Sequence, residues 1–190
     1  GYLVIKLPLP PGALLGIWKD FDRFKSSYLS HFEGYYFSGD GAIQDEDGYF
    51  FITGRVDDVI NVAGHRLSTS EMEEIVSSHP DIAECAVVGI DDALKGQIPF
   101  ATVVLKNGST ITPETVENEV VQKVREQIGA VACLKNIMVV QRLPKTRSGK
   151  ILRKLIRTII DKKEFQIPST IDDENIVYEL QEKIKQYQNV

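Results

Sequence analysis

The sequence predicts an α+β protein in two parts, a β-rich leading segment over residues 1–56 and a small α+β domain over residues 57–190. Three observations carry this expectation. Up to about Arg55 the apolar runs are short, β-prone and interrupted by Pro and Gly. Beyond Asp57, stretches with apolar residues three and four apart alternate with short β-branched runs. With 43% apolar and 26% charged residues, 190 positions allow one packed core and part of another domain.

Tyr2-Leu3-Val4-Ile5 reads as a strand that Pro8, Pro10 and Pro11 break, with a turn at Gly12. Asp45-Glu46-Asp47-Gly48 reads as a turn feeding the strand Tyr49-Phe50-Phe51-Ile52. This segment is too short and too broken to close a core, so it reads as the end of a larger domain upstream. In the second part, Ser70 and Glu73 form a capping box opening a helix that buries Met72, Ile75 and Val76 and stops at Pro80. Ala86-Val87-Val88, residues 101–105 and residues 137–140 read as strands. Thr112 caps a second helix with Pro113 at its first position, apolar residues at 116, 120, 124 and 128, and a stop at Gly129. A third helix follows a basic loop and buries Ile151, Leu152, Leu155, Ile156, Ile159 and Ile160. A last amphipathic helix covers about 174–187. The result is a short sheet packed by helices.

Composition excludes several functions. A net charge of −5 does not suit a general nucleic-acid binder, although residues 142–163 are locally basic and open to anions. Two cysteines, Cys85 and Cys133, form no CxxC motif or zinc spacing and read as small core residues in a reducing, intracellular compartment. No apolar run reaches the ~20 residues that span a bilayer. The chain opens at Gly1 directly into a strand, which reads as the interior of a longer protein with any targeting segment upstream.

Three stretches set glycine beside charge. In Ser38-Gly39-Asp40-Gly41, two glycines let the chain turn around a carboxylate. That carboxylate suits either two vicinal hydroxyls or solvent. The run Gly54-Arg55-Val56-Asp57-Asp58-Val59-Ile60-Asn61-Val62-Ala63-Gly64-His65-Arg66 offers two guanidinium forks for phosphate or carboxylate, and Gly64 permits close backbone approach. The plainer reading is a surface ion pair of Arg55 with Asp57 or Asp58, while Asp57 also sits where the composition changes, as a hinge would. The third stretch, Leu143-Pro144-Lys145-Thr146-Arg147-Ser148-Gly149-Lys150, lacks the earlier glycine and feeding strand of a Walker A loop. It reads as a mobile loop placing Lys150 at a helix start. The helix dipole disfavours a cation there, which suggests that Lys150 serves an external anion.

Together and in this order, the three stretches resemble the adenylate-forming superfamily of acyl-CoA synthetases, luciferases and adenylation domains, over essentially the whole chain. Asn61-Val62-Ala63-Gly64-His65-Arg66-Leu67 and residues 143–150 are similar to acetyl- and propionyl-CoA synthetases. Phe24-Lys25-Ser26-Ser27-Tyr28-Leu29, Gly34-Tyr35-Tyr36 and Ile167-Pro168-Ser169-Thr170-Ile171-Asp172-Asp173 look closer to the propionyl enzymes. Ser38-Gly39-Asp40-Gly41 and Ile52-Thr53-Gly54-Arg55 look closer to the acetyl enzymes, so propionate is favoured by a small margin.

The resemblance implies a C-terminal lid domain that rotates on a hinge against a large N-terminal domain. The chemistry it implies joins a small carboxylic acid to CoA through an acyl-AMP, releasing pyrophosphate from Mg2+-ATP. By it, Asp40 is the ribose-binding acid, Arg55 meets the nucleotide, and Asp57 is the hinge. Arg66 meets ATP phosphate or CoA according to conformation, Ala63 and Gly64 line the pantetheine tunnel, and Arg125 lies near the CoA nucleotide phosphate. Lys150 is the adenylation lysine, a residue that in this family is acetylated to switch activity off, which brings acetylating and deacetylating enzymes in as partners. A cation site at Ser77, His79 and Ile82 would use mainly carbonyl oxygens, although the sequence alone reads His79 as structural. Implied locations are the cytoplasm or mitochondrial matrix. Two alternatives stand beside this: another adenylating ligase, or a non-catalytic module that binds nucleotide or CoA. The 190 residues alone are expected to be inactive.

Overall fold

A computed structural model describes residues 1–56 and 58–188, and the chain divides into two compact units, 1–58 and 59–190. Among the described residues, no helix is long and apolar enough to cross a membrane.

In the first unit, strands β1 (Tyr2–Lys6), β2 (Tyr35–Gln44) and β3 (Phe50–Arg55) form an antiparallel sheet in the order β1-β2-β3. A short helix, α1 (Phe21–Phe24), is capped by the Asp20 carboxylate on Arg23 N and runs into a π-helical turn, Lys25–Leu29. The sequence reading of residues 38–41 as a turn is corrected here. They lie inside β2, where Gly39 takes φ +81° and the register against β3 slips between Gly41 and Ala42. That irregularity is what two glycines permit in an otherwise β-prone run. The only buried hydrophobics of this unit among the described residues are Phe24 and Ala42, while Tyr49, Phe50, Phe51 and Ile52 on and beside β3 are 58–69% exposed.

The second unit is a five-stranded sheet between two helical layers. Strands β4 (Val59–Val62), β5 (His65–Ser68), β6 (Ile82–Asp92) and β7 (Gly96–Leu105) pair antiparallel in the order β5-β4-β7-β6. Strand β8 (Asn136–Val140) joins β7 in parallel, Phe100 facing Asn136 and Val104 facing Val140. Strand alternation divides the core. Cys85 and Val87, Ala101 and Val103, and Ile137 face helices α2 (Thr69–Ser77) and α3 (Pro113–Gln127). Ala86 and Val88, Phe100, and Met138 and Val140 face helices α4 (Arg153–Ile160) and α5 (Asn175–Gln188).

The expected helix caps are partly shifted. Thr112 caps α3 through Thr115 N, with Pro113 at the first position and Val116, Val120 and Val124 buried. Helix α2 instead starts two residues before the expected point, because the Ser68 hydroxyl accepts from Glu71 N. The box is therefore Ser68-x-x-Glu71, and Glu73 is released for other contacts. Helix α4 begins at Arg153, so Lys150 stands in the preceding loop and the dipole argument does not apply to it. Cys85 is buried as expected, but Cys133 is only partly covered.

Candidate functional site

The first unit places Asp40 opposite Arg55 across β2 and β3. Arg55 NH1 lies 3.6 Å from Asp40 Oδ1 and donates to Ser38 O at 3.2 Å. Gly39 makes this possible: a Cβ there would fall 2.8 Å from Arg55 NH2. The Ser38 hydroxyl donates to Leu3 O at 2.9 Å and accepts from Asp40 N, so the acidic residue is held from its backbone. Tyr36 stacks on Tyr28, and burial pushes its phenol up, with Tyr28 and Asp40 adding to the rise. A cleft of about 370 Å³ lies beside this pair, lined by Tyr2, His31, Phe32, Phe37, Gly39 and Arg55. Aromatic walls with one guanidinium and a nearby carboxylate offer a flat ring a stacking surface and polar groups for a sugar or phosphate. Asp57 lies outside the described residues.

In the second unit, β4 and β5 form a hairpin whose tight turn is Ala63-Gly64, both at positive φ (+48° and +87°). Nothing lies within 4 Å of a Cβ built on Gly64, so the turn is open to solvent on that side. Arg66 is exposed on β5 opposite Asn61. Ala63 N donates to Lys95 O at 2.8 Å, which ties the turn to the segment before β7.

Arg125 is exposed near the end of α3 and lines a cleft of about 300 Å³ with Lys95, Cys133 and Lys135. The sequence reading missed the last three, although Lys95-Gly96 also sets glycine beside charge.

The loop before α4, expected to be mobile, is cross-linked. Thr146 N donates to Lys150 O, Gly149 N to Thr146 O, and Lys150 N to the Thr146 hydroxyl. Gly149 at φ +83° closes the turn. Arg147 N donates to Thr170 O, Asp172 N donates to Lys145 O, and Lys145 Nζ meets Glu84 Oε1 at 2.6 Å. The loop thus holds Lys150 from several sides and leaves its side chain exposed. Arg66, Arg125 and Lys150 have no hydrogen-bond or ion-pair partner among the described residues.

Ile151 and Leu152, next to Lys150, pack on the α4/α5 layer, whereas the hairpin residues Ile60 and Val62 and helix α3 belong to the opposite layer. The structure therefore joins Asp40 to Arg55, and the Ala63-Gly64 turn to the Arg125 cleft through Lys95. It sets Lys150 on the other helical layer from Arg125.

Ser77, His79 and Ile82 surround the C-terminal end of α2. The His79 ring is buried, its Nε2 at 2.8 Å from Glu119 Oε2 and its Nδ1 accepting from Asp81 N, which fits the structural role read from the sequence. Its carbonyl accepts from Ile82 N, and Lys123 Nζ lies 3.3 Å from Ser78 O. With both ring nitrogens engaged, only carbonyl oxygens remain there for a hard cation. Among the described residues, no cluster of three or more His, Cys, Asp or Glu side chains could hold a metal ion.

Residues 71–150 match the family model of the AMP-binding enzyme C-terminal domain. The human protein named acyl-CoA synthetase short-chain family member 3, mitochondrial, is 48% identical over 186 residues, covering 98% of this chain and 27% of that protein. The acetyl-coenzyme A synthetase of Pyrobaculum arsenaticum is 48% identical over 179 residues, covering 94% of this chain and 26% of its own length. Among solved structures, the amide bond synthetase McbA of Marinactinospora thermotolerans superimposes with a TM-score of 0.65 at 29% identity, over 83% of this chain and 30% of that one. ATP-bound MatB of Rhodopseudomonas palustris gives a TM-score of 0.65 at 26% identity, over 77% of this chain and 28% of its own. The chain thus spans less than a third of the length of each of these proteins.

Proposed function

The chain belongs to the adenylate-forming enzymes, whose AMP-binding enzyme C-terminal domain it carries at residues 71–150, and from this we propose that it serves an AMP-forming short-chain acyl-CoA synthetase. The reaction is acid + ATP + CoA → acyl-CoA + AMP + pyrophosphate. Propionate is slightly favoured over acetate. Both named synthetases are 48% identical, so this preference rests on the residue likenesses at 24–29, 34–36 and 167–173.

One observation carries the reading: Lys150 and Arg125 are both exposed and unpaired, yet belong to opposite helical layers. A lid that serves two half-reactions by turning needs its two sets of cations on different sides. In the first half-reaction, carboxylate oxygen attacks the α-phosphorus and pyrophosphate leaves. Two anions must approach, and the Lys150 ammonium between them lowers that barrier. Asp40 accepts from the ribose hydroxyls, while Arg55 meets the nucleotide and Arg66 its phosphates. In the second half-reaction, the CoA thiol enters along Ala63 and Gly64 and attacks the acyl carbon, with AMP leaving. Arg66 then turns to CoA, and Arg125 meets the CoA nucleotide phosphate. Asp57 is the hinge between these arrangements.

Residues 1–56 are read as the end of a larger adenylating domain, and residues 57–190 as the mobile lid. The exposed apolar run at 49–52 supports the first assignment, because such surface is ordinarily covered. Mg2+ is held mainly by ATP phosphates, and a separate cation at the carbonyls around Ser77, His79 and Ile82 would be structural. The exposure of Lys150 suits reversible acetylation, which removes the charge on which adenylation depends. The proposed location is intracellular, in the cytoplasm or the mitochondrial matrix.

The test is pyrophosphate release by the full-length protein with acetate, propionate or butyrate, each with and without CoA. Acid-dependent release supports the ligase, and the ranking of acids names its substrate. A folded, ATP-binding protein that releases none would be a non-catalytic binding module or a ligase of another acid class.

A further inference from the structure

The cleft beside Arg125 has more positive charge than one helix end accounts for. A single arginine in the last turn of α3 is ordinary, because cations are favoured near helix C-termini. Lys95 and Lys135 reach the same cleft from two other segments, and among the described residues none of the cleft's side chains is acidic. Lys135 is exposed and, like Arg125, has no partner among the described residues. Lys95 Nζ donates to the Cys133 sulfur at 3.0 Å. The nearest carboxylate on its own segment, Asp92, accepts instead from the backbone N–H groups of Leu94 and Lys95. Three cations from three segments repel one another until an anion arrives.

Lys95 also reaches the hairpin, since its carbonyl accepts the Ala63 N–H. One residue thus borders the cationic cleft with its side chain and holds the proposed pantetheine turn with its backbone.

We propose that Lys95 and Lys135 join Arg125 to grip a phosphomonoester dianion, the 3′-phosphate of the CoA nucleotide, and that Lys95 sets this grip in register with the Ala63-Gly64 turn. The proposal rests on the reading of this cleft and turn as CoA-binding. A terminal phosphomonoester carries up to two charges on three oxygens and suits several separate donors, whereas each phosphate of the internal diphosphate carries one. Arg125 supplies a fork and the two lysines supply point charges.

Cys133 gives a readout that needs no catalysis. It is partly exposed beside Lys95, whereas Cys85 is buried and its thiol is pushed up to about 12, chiefly by burial. Alkylation of the 190-residue chain by N-ethylmaleimide at neutral pH should therefore fall on Cys133, and labelling of Cys85 would report unfolding. The competitors are S-carbamidomethyl-CoA, whose thiol is blocked, and its 3′-dephospho form.

The expected result is protection of Cys133 by the phosphorylated form at roughly tenfold lower concentration than by the dephospho form, since one charge-assisted contact is worth about that factor. Lys135→Gln, which leaves the Lys95–Cys133 contact in place, and Lys95→Gln should each shrink this ratio severalfold with Cys85 still unlabelled. Equal protection by both forms, or an unchanged ratio in the variants, would overturn the phosphate grip while leaving CoA in the cleft. Protection by neither form would remove CoA from this cleft and the proposal with it.

Discussion

Glu73 on α2 and Arg153 at the start of α4 meet through two hydrogen bonds, Arg153 Nε to Oε1 at 2.8 Å and NH2 to Oε2 at 2.6 Å. The two helices lie on opposite faces of the sheet, so the pair passes around the edge strand β6. There Glu73 Oε1 also accepts from Val87 N at 2.8 Å, satisfying an edge N–H that would otherwise invite another strand.

Replacing Glu73 with Ala should therefore leave a backbone donor and a guanidinium without their acceptor. Glu73 is 15% exposed, so solvent cannot fully compensate. Loss of about 3 kcal/mol is expected for the 59–190 unit in urea unfolding, with Glu73→Gln losing less. A change within ~0.5 kcal/mol would show that the bridge is decorative.

The start of α2 separates two serines that the sequence left equivalent. Ser68→Ala removes the observed cap and should cost about 1 kcal/mol, whereas Ser70→Ala, one residue inside the helix, should be nearly neutral. Thermal unfolding of the two variants checks this directly, and a larger loss at Ser70 would contradict the assigned boundary.

That pair shows where sequence reasoning stops. Ser68-x-x-Glu71 and Ser70-x-x-Glu73 both satisfy the capping pattern, and tertiary contacts decide between them by drawing Glu73 to Arg153 and Val87. The α3 helix was legible because Thr112, Pro113 and valines at 116, 120 and 124 all agree. The β4–β5 hairpin was hidden because its turn places alanine at φ +48°, where glycine or asparagine is the usual signal. At the candidate site, Asp40, Arg55, Ala63, Gly64, Arg66, Arg125 and Lys150 were named in sequence. Lys95, Cys133 and Lys135 converge only through folding, from segments about forty residues apart.

Cys85 gives a prediction at alkaline pH. Its folded thiol is pushed from 9.0 up to about 12 by burial, with the Glu73 carboxylate adding and Arg153 opposing. A raised pKa favours the folded state fully below the unfolded value, and that advantage is lost as pH rises from about 9 through about 12. Cys85→Ala should therefore show a shallower loss of stability over this window in denaturant titrations. An identical slope in both proteins would mean that the thiol ionises as freely folded as unfolded.

The most direct test of the account separates the two half-reactions in the full-length protein carrying Lys150→Ala. At ~4 Å and an effective dielectric of ~20, the lost ammonium is worth about 4 kcal/mol, or roughly a thousandfold in rate. Acyl-adenylate formation, read as acid-dependent pyrophosphate release, should fall by about that factor. Thioester formation from supplied acyl-AMP and CoA should stay within about twofold of wild type. An equal loss in both half-reactions would contradict a lid that presents Lys150 to only one of them.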